Sequence, residues 1–342
     1  MIGAVAIGRN EGERLATCLR SLASCVSRIV YVDSGSTDGS VELARSMGAE
    51  VLELDMSVPF TAARARNEGL ARLRELESEV EYVQFIDGDC ELVEGFVSEA
   101  MATFEQNARY AVVCGRRRER YPGGSIYNAM TDVEWDTPIG EATFCGGDAL
   151  MRVAALTEIG GYDPAVIAGE EPEMCFRLRE RGWIVMRIDW DMTLHDAAMH
   201  RFGQWWKRNI RAGHAAAEGA WMHGRSPERF AVRWALRPVF WAGVLPFVAI
   251  ITAWWSFGLS LVMLAGIYGL QWWRIRAREE RRSSLVFATR YATLTLVSQF
   301  ALLWGELTFV WNKLRRRRAG IIEYKSAAHN GQAAGEMAAN DG

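Results

Sequence analysis

Two aspartates one residue apart, Asp87 and Asp89, end the apolar run in "YVQFIDGDCEL", residues 82–92. A buried strand that finishes this way either enters a tight surface turn or offers hard oxygen ligands to a divalent cation such as Mg2+ or Mn2+. A second carboxylate, Asp33, closes the run "RIVYVD", and Asp38 follows it in "STDGS". Further along, "GEEPEMCFRL" opens on the adjacent pair Glu170 and Glu171. That pair is either an acidic helix start, favourably placed against the helix dipole, or a source of a general base. Asn10 and Glu11 follow the first apolar run, and for Asn10 the bland reading is a helix cap.

The surrounding pattern says what must position these groups. "IGAVAIG" (2–8) reads as a strand, and "NEGERLATCLRSLAS" as a helix with Leu15, Leu19 and Leu22 on one face. "RIVYVD" is a strand, "SGSTDGSVELARSMG" a loop and a helix stopping at Gly48, and "EVLELD" a strand. "FTAARARNEGLARLRELES" is a helix, followed by the strand "YVQFIDGD". This alternation predicts an α/β fold, a mostly parallel sheet with helices on both faces. Ligands of such sheets sit outside the carboxyl ends of the strands. Asp33 and the Asp87/Asp89 pair are both at such ends and should face one crevice, which argues against the turn. Neither a Walker A sequence nor G-x-G-x-x-G follows the first strand, which counts against a nicotinamide or flavin enzyme.

The 342 residues carry a net charge of −3, but the charge is divided. Residues 1–200 hold 19 Lys+Arg against 34 Asp+Glu, and residues 201–342 hold 20 against 8. An acidic front and a basic, Trp-rich rear meet different surroundings, and no nucleic-acid partner is expected. The six cysteines lack C-x-x-C spacing, so reduced thiols in a cytosolic compartment are expected rather than a zinc cluster or disulfides. The first residues lack a basic region and a long apolar stretch and so read as a strand, not a signal peptide.

Residues 239–273 are free of formal charge. That is too long for one membrane span of roughly 20 residues and suits a tight helical hairpin reversing near Ser256–Gly258. Arginines flank both sides, which places both ends on the cytoplasmic face. A third apolar stretch, Leu285–Trp311, either spans or lies in the interface, where the "RRRR" at 315–318 would meet anionic lipid. The expected organisation is a catalytic domain over 1–224, a membrane region over 225–318 and a flexible tail over 319–342.

In order and spacing, "AIGRNEGERLATCLRSL", "IVYVDSGSTDGSVELA", "AARARNEGLARL" and "FIDGDCEL", then "CGGDALMRVAALTEIGGYDP" and "AGEEPEMCFRLRERGW", resemble family 2 glycosyltransferases. The resemblance implies the GT-A nucleotide-sugar fold and an inverting, metal-dependent transfer from a nucleoside-diphosphate sugar such as a UDP- or GDP-sugar. It places Asp33 at the nucleoside, with Asp38, Asn10 and Glu11 bordering it. Arg66, in the "ARN" step, falls near the nucleotide, its bland alternative being a solvated helix face. Asp87 and Asp89 match the DxD motif, with Asp89 the more direct metal ligand and Asp87 nearer the ribose. Glu171 falls where the family's catalytic Asp stands, a departure of one methylene that keeps Glu170 open as the base. His195 is the candidate for a further metal ligand, against a capping or exposed histidine. Arg208 is a candidate for diphosphate or lipid headgroups. Trp135 and Trp205 are candidate acceptor platforms or, respectively, a packed Trp and an interface anchor. The basic "GRRRERYPGGSIYN" (115–128) reads as a flexible lip or a solvated loop. The membrane hairpin points to a lipid-linked acceptor at the cytoplasmic face of the inner membrane. A polyprenyl-phosphate glycosyl synthase and a non-catalytic scaffold that kept the fold are the alternatives.

Overall fold

The computed structural model describes residues 1–316; the expected tail over 319–342 lies outside them. In chain order the first elements are β1 (Ile2–Gly8), α1 (Glu13–Leu22), β2 (Arg28–Asp33), α2 (Ser40–Ser46), β3 (Glu50–Glu53), α3 (Ala62–Leu76) and β4 (Tyr82–Asp87). Then come β5 (Cys90–Leu92), α4 (Phe96–Gln106), β6 (Tyr110–Glu119), α5 (Ile126–Glu134), β7 (Gly140–Ala142), β8 (Ala149–Arg152), α6 (Val153–Ile159), α7 (Glu170–Glu180) and β9 (Ile184–His195). The chain divides into two compact units. Among the described residues one comprises Met1–Tyr121 with Thr131–Ala198, the other Pro122–Met130 with residues 199–316.

The first unit carries a sheet in the order β3-β2-β1-β4-β8-β6-β9-β5, with β7 added against β9. The four leading strands are parallel, as the alternation of strands and helices requires. β1 is buried along its middle five residues because α1 and α3 cover it, which explains why it is a continuous apolar run. α1 buries Leu15, Leu19 and Leu22, the three leucines of its expected apolar face. α3 starts at Thr61, whose hydroxyl accepts from the Arg64 N–H at 3.0 Å. Beyond β4 the sheet becomes mixed. β8 is antiparallel to both β4 and β6, beyond the parallel strands expected from the front of the chain.

β6 corrects the expectation of a lip at 115–128, because the strand runs through Arg116, Arg117 and Arg118 to Glu119. Each arginine is neutralised from a neighbouring element: Arg116 and Arg118 by Asp132, Arg118 also by Asp191, and Arg117 by Asp148. A charged strand is stable where such pairing is complete.

The second unit holds α8 (Phe202–His223), α9 (Val232–Pro238), a π-helical turn (Val239–Val244), α10 (Leu245–Thr252), α11 (Leu259–Glu279) and α12 (Leu285–Leu314). The second compact unit takes in α8, which packs along α12. That crossing needs glycines, since a Cβ on Gly213 would strike the Leu302 carbonyl and one on Gly305 the Ile210 carbonyl. The chain reverses between α10 and α11 with Phe257 and Gly258 at φ 50° and 83°. The Ser260 hydroxyl donates to the Ala249 carbonyl at 2.7 Å and the Tyr268 hydroxyl to that of Trp241, closing the hairpin. Val232–Thr252 and Leu285–Leu314 are each long and apolar enough to cross a membrane.

Candidate active site

Strand register assembles the site. Gly8 at the end of β1 lies opposite Asp33 of β2, and its neighbour Ile7 lies opposite Asp87 of β4. The two aspartates therefore flank the carboxyl end of one central strand, although 54 positions separate them in sequence. Asp33 is buried and its acceptor capacity is filled locally. Oδ2 accepts from the Gly35 and Ser36 N–H groups at 2.9 and 2.8 Å, and Oδ1 from the Ser36 and Tyr31 hydroxyls at 2.5 and 3.1 Å. Asp33 thus shapes the loop after β2. Asn10, at φ 57°, caps no helix. Its side-chain oxygen accepts from the Thr37 N–H at 2.8 Å, and its own N–H donates to the Ser36 hydroxyl. Asp38 accepts from the Ser40 N–H and hydroxyl and so begins α2, while Glu11 pairs with Arg14 at 2.8 Å. All four border the same loop pair.

Gly88, between the two DxD aspartates, has an ordinary backbone conformation. It is required by close approach: its N–H donates to the Ile7 carbonyl at 2.8 Å, and a Cβ would press on that oxygen at 3.2 Å. Asp87 is held by two arginines, Arg66 at 2.8 Å and Arg117 at 3.5 Å. Arg66 is not on a solvated face. It is buried, and its other terminal nitrogen binds Glu170 at 2.8 Å. Burial opposes its charge, but Asp87 and Glu170 outweigh burial and raise its pKa above the ordinary value. Next to it Asn67 bonds both the N–H and the carbonyl of Tyr162, fixing α3 to the segment ahead of α7.

Asp89 sits one residue before β5, where Cys90 pairs with His195 of β9, and Glu119 of β6 pairs with His195 from the other side. This register, across 106 positions of sequence, brings His195 Nε2 within 3.4 Å of Asp89 Oδ2. The imidazole is buried and its pKa falls to about 4, through burial and then the Arg117 guanidinium. It is therefore neutral near pH 7, with a lone pair available as a ligand. Glu119 Oε2 lies 4.0 Å from Nδ1, beyond hydrogen-bond distance, and accepts from the Ala197 N–H at 3.0 Å. A carboxylate and a neutral imidazole that converge in this way fit a divalent cation of the Mn2+ or Mg2+ type.

α7 begins at Gly169, in the left-handed conformation at φ 79°. Its first turn buries Glu170, Glu171 and Glu173. Glu173 is structural: it pairs with Arg177 at 2.8 Å, whose guanidinium also donates to the Ile159 and Gly161 carbonyls. Glu170 is committed to Arg66. Glu171 Oε1 accepts from the Cys145 N–H at 2.5 Å and the Cys175 thiol at 3.2 Å, both on one oxygen.

Trp135 is half-buried, with its ring edge-on to His195 at 4.9 Å and the Arg117 guanidinium 5.5 Å from its centroid. Trp205 and Arg208 lie on α8 in the second unit. Trp205 is 1% exposed and packs against Tyr127 and Phe202, which corrects its reading as an acceptor platform or surface anchor: its faces are already covered. Arg208 is half-buried on the same helix.

Sequence reasoning missed Arg117, Glu119, Asp148 and Thr193. Asp148 is fully buried, accepts from the Asp87 N–H at 3.0 Å and the Thr193 hydroxyl at 2.8 Å, and pairs with Arg117 at 2.6 Å. The double glycine ahead of it in "CGGD" was the available signal.

Residues 6–159 match the family model of Glycosyl transferase family 2. That stretch is a family 2 glycosyltransferase domain. It is 28% identical over 188 residues to the succinoglycan biosynthesis protein ExoA of Rhizobium meliloti, a match covering 49% of this chain and 54% of that one. It is 22% identical over 229 residues to the glycosyltransferase AglE of Haloferax volcanii, covering 63% and 72%. The chain thus spans about half the length of the first of these relatives. The fold is shared with a mannosyltransferase, PcManGT from Pyrobaculum calidifontis, solved with GDP-Man and Mn2+. That likeness has a TM-score of 0.57 at 16% identity and covers 91% of this chain and 87% of that one. The GT-A architecture of this domain agrees with the mixed sheet and the strand-end carboxylates.

Within this domain Arg66 joins the DxD motif to the head of α7, and its loss should be costly. Arg66→Met leaves Asp87 and Glu170 without their shared buried cation, a loss of about 3–5 kcal/mol for a broken buried pair. Urea denaturation is expected to show that loss. Adding Glu170→Gln should recover part of it, because one fewer buried charge is left uncompensated. Full additivity of the two substitutions would contradict the bridge.

Proposed function

We propose that the chain is a membrane-attached inverting glycosyltransferase that moves one sugar from a nucleoside-diphosphate donor to a lipid-linked acceptor of a surface polysaccharide or glycolipid. The observation that carries this reading is the alignment of Asp33, Asp87 and the Asp89–His195 pair at the carboxyl ends of the sheet, with Glu171 at the start of α7. Asp89 and His195, with Asp87 beside them, would hold Mg2+ or Mn2+, and the cation stabilises the departing diphosphate when bound. Arg66 and Arg117 hold and orient the Asp87 carboxylate. The loop organised by Asp33, Asn10 and Asp38 receives the nucleoside, and Trp135 forms one wall beside His195. Glu171 takes the proton of the acceptor hydroxyl: Oε1 is held by Cys145 and Cys175, which leaves Oε2 for the acceptor.

Membrane attachment is supported by the two long apolar helices and by the exposed aromatics of the hairpin, where Trp254, Trp255 and Phe257 are 86%, 73% and 99% exposed. Such a patch suits lipid rather than water. The flanking arginines favour the cytoplasmic face of the membrane. Arg208, on the amphipathic α8, is assigned to phosphate groups of donor or lipid.

The test is a panel of UDP-, GDP- and dTDP-sugars, including GDP-mannose, scored for thermal stabilisation of the full chain with and without Mn2+. One nucleotide class is expected to stabilise the protein only when the cation is present. Absence of stabilisation by every donor would favour the scaffold reading.

A further inference from the structure

Cys145, Glu171 and Cys175 converge in the interior of the first unit, and donor binding uses neither thiol. Cys145 lies in the segment between β7 and β8. Glu171 and Cys175 are one turn apart on α7 and therefore share a face. The two sulfurs are 3.9 Å apart, Cys175 Sγ is 3.2 Å from Glu171 Oε1, and the three ligand atoms all lie within 4.8 Å of one another. A tetrahedral Zn2+ with Zn–S of about 2.3 Å and Zn–O of about 2.0 Å spaces its ligands about 3.8 Å (S to S) and about 3.5 Å (S to O) apart. The two sulfurs already have the first spacing, and Cys175 Sγ to Glu171 Oε1 is close to the second.

Burial raises the Cys145 thiol to about 11 and holds the Cys175 thiol well above its ordinary value, so neither is a reactive thiolate near pH 7. A cation that binds here must therefore displace both thiol protons. Cys145, at 7% exposed, is the most open of the three and marks the side of entry.

We propose that Cys145, Cys175 and Glu171 form a second metal site, selective for thiophilic Zn2+ and separate from the Asp89–His195 site. On binding, two S–H bonds break, two Zn–S bonds and one Zn–O bond form, and two protons pass to solvent. The fourth position is taken by water. Occupancy draws the Glu171 carboxylate onto the ion and so blocks sugar transfer. This inhibition, though not the binding itself, rests on Glu171 acting as the base.

The probe is Co2+, titrated into metal-stripped full-length protein carrying Asp89→Asn to silence the DxD site. Thiolate-to-cobalt charge-transfer bands are expected, with Zn2+ displacing the Co2+. The bands should be lost in Cys145→Ser and in Cys175→Ser, and they should persist in Cys90→Ser. Because a buried Cys→Ser change can itself unfold the chain, X-ray absorption on the zinc-loaded protein with wild-type cysteines gives an independent reading. It should show two sulfur scatterers at about 2.3 Å. Absence of thiolate bands, their survival in both serine variants, or a sulfur-free zinc shell would each overturn the site. Zn2+ added over saturating Mg2+ should abolish transfer by the otherwise unaltered chain. If the two-sulfur site forms and transfer continues, the site stands and the inhibitory role falls.

Discussion

Glu171→Gln is expected to lower the transfer rate by about 10²–10⁴-fold, the usual contribution of a positioned general base, while leaving cation-dependent donor binding intact. The separation of these two readouts follows from how the side chain is held. Oε1 accepts from the Cys145 N–H and the Cys175 thiol, and a glutamine oxygen accepts from both equally well. The local fold should therefore survive the substitution. The –NH2 that replaces Oε2 cannot accept a proton from the acceptor hydroxyl, so only the chemical step is lost. Glu170→Gln should behave differently, because Glu170 is bonded to Arg66 and through it to Asp87. Its loss disturbs the DxD motif and should appear as weaker donor binding and lower stability. Initial rates and donor titrations on both variants distinguish the roles. Normal transfer by Glu171→Gln would remove it as the base and leave Glu170 as the group to test.

The two cases also show which features were legible in sequence. A carboxylate at the end of an apolar run is visible wherever a strand carries its residues consecutively, as with Asp33 and Asp87. That they flank one strand end follows from parallel order, which the alternation of strands and helices already implies. What sequence does not display is pairing between distant strands. His195 stands beside Asp89 only because β5 pairs antiparallel with β9, and Glu119 reaches the same histidine because β6 lies along the other edge of β9. β6 itself was hidden because its second half is arginine rather than apolar. Its stability comes from Asp132, Asp148 and Asp191, which are distant in sequence. The same reason hid Asp148, whose role depends on neighbours supplied by β4, β6 and β9 together. Asp33 was legible as a strand-end carboxylate but not as one whose oxygens are already occupied. That required the turn geometry at Gly35 and Ser36.

The second large effect is expected at Asp89. Asp89→Asn should abolish the cation dependence of donor binding, because it removes the negative charge on the group that faces His195. An exposed aspartate would lose little when neutralised. Asp89 is 4% exposed, and within reach of a neutral imidazole its charge is the main attraction for a divalent ion. His195→Ala removes a neutral ligand, so raising Mn2+ should restore binding there, whereas no concentration should restore it in Asp89→Asn. Glu119→Gln should lie between the two. It leaves both direct ligands in place but weakens the partner facing Nδ1, a change worth about 10–100-fold in metal affinity where histidine ligands depend on such carboxylates. Mn2+ titrations followed by donor-induced thermal shift on the three variants give the order directly. If Asp89→Asn keeps cation-dependent binding while Asp87→Asn loses it, Asp87 is the direct ligand and Asp89 serves only the fold around His195.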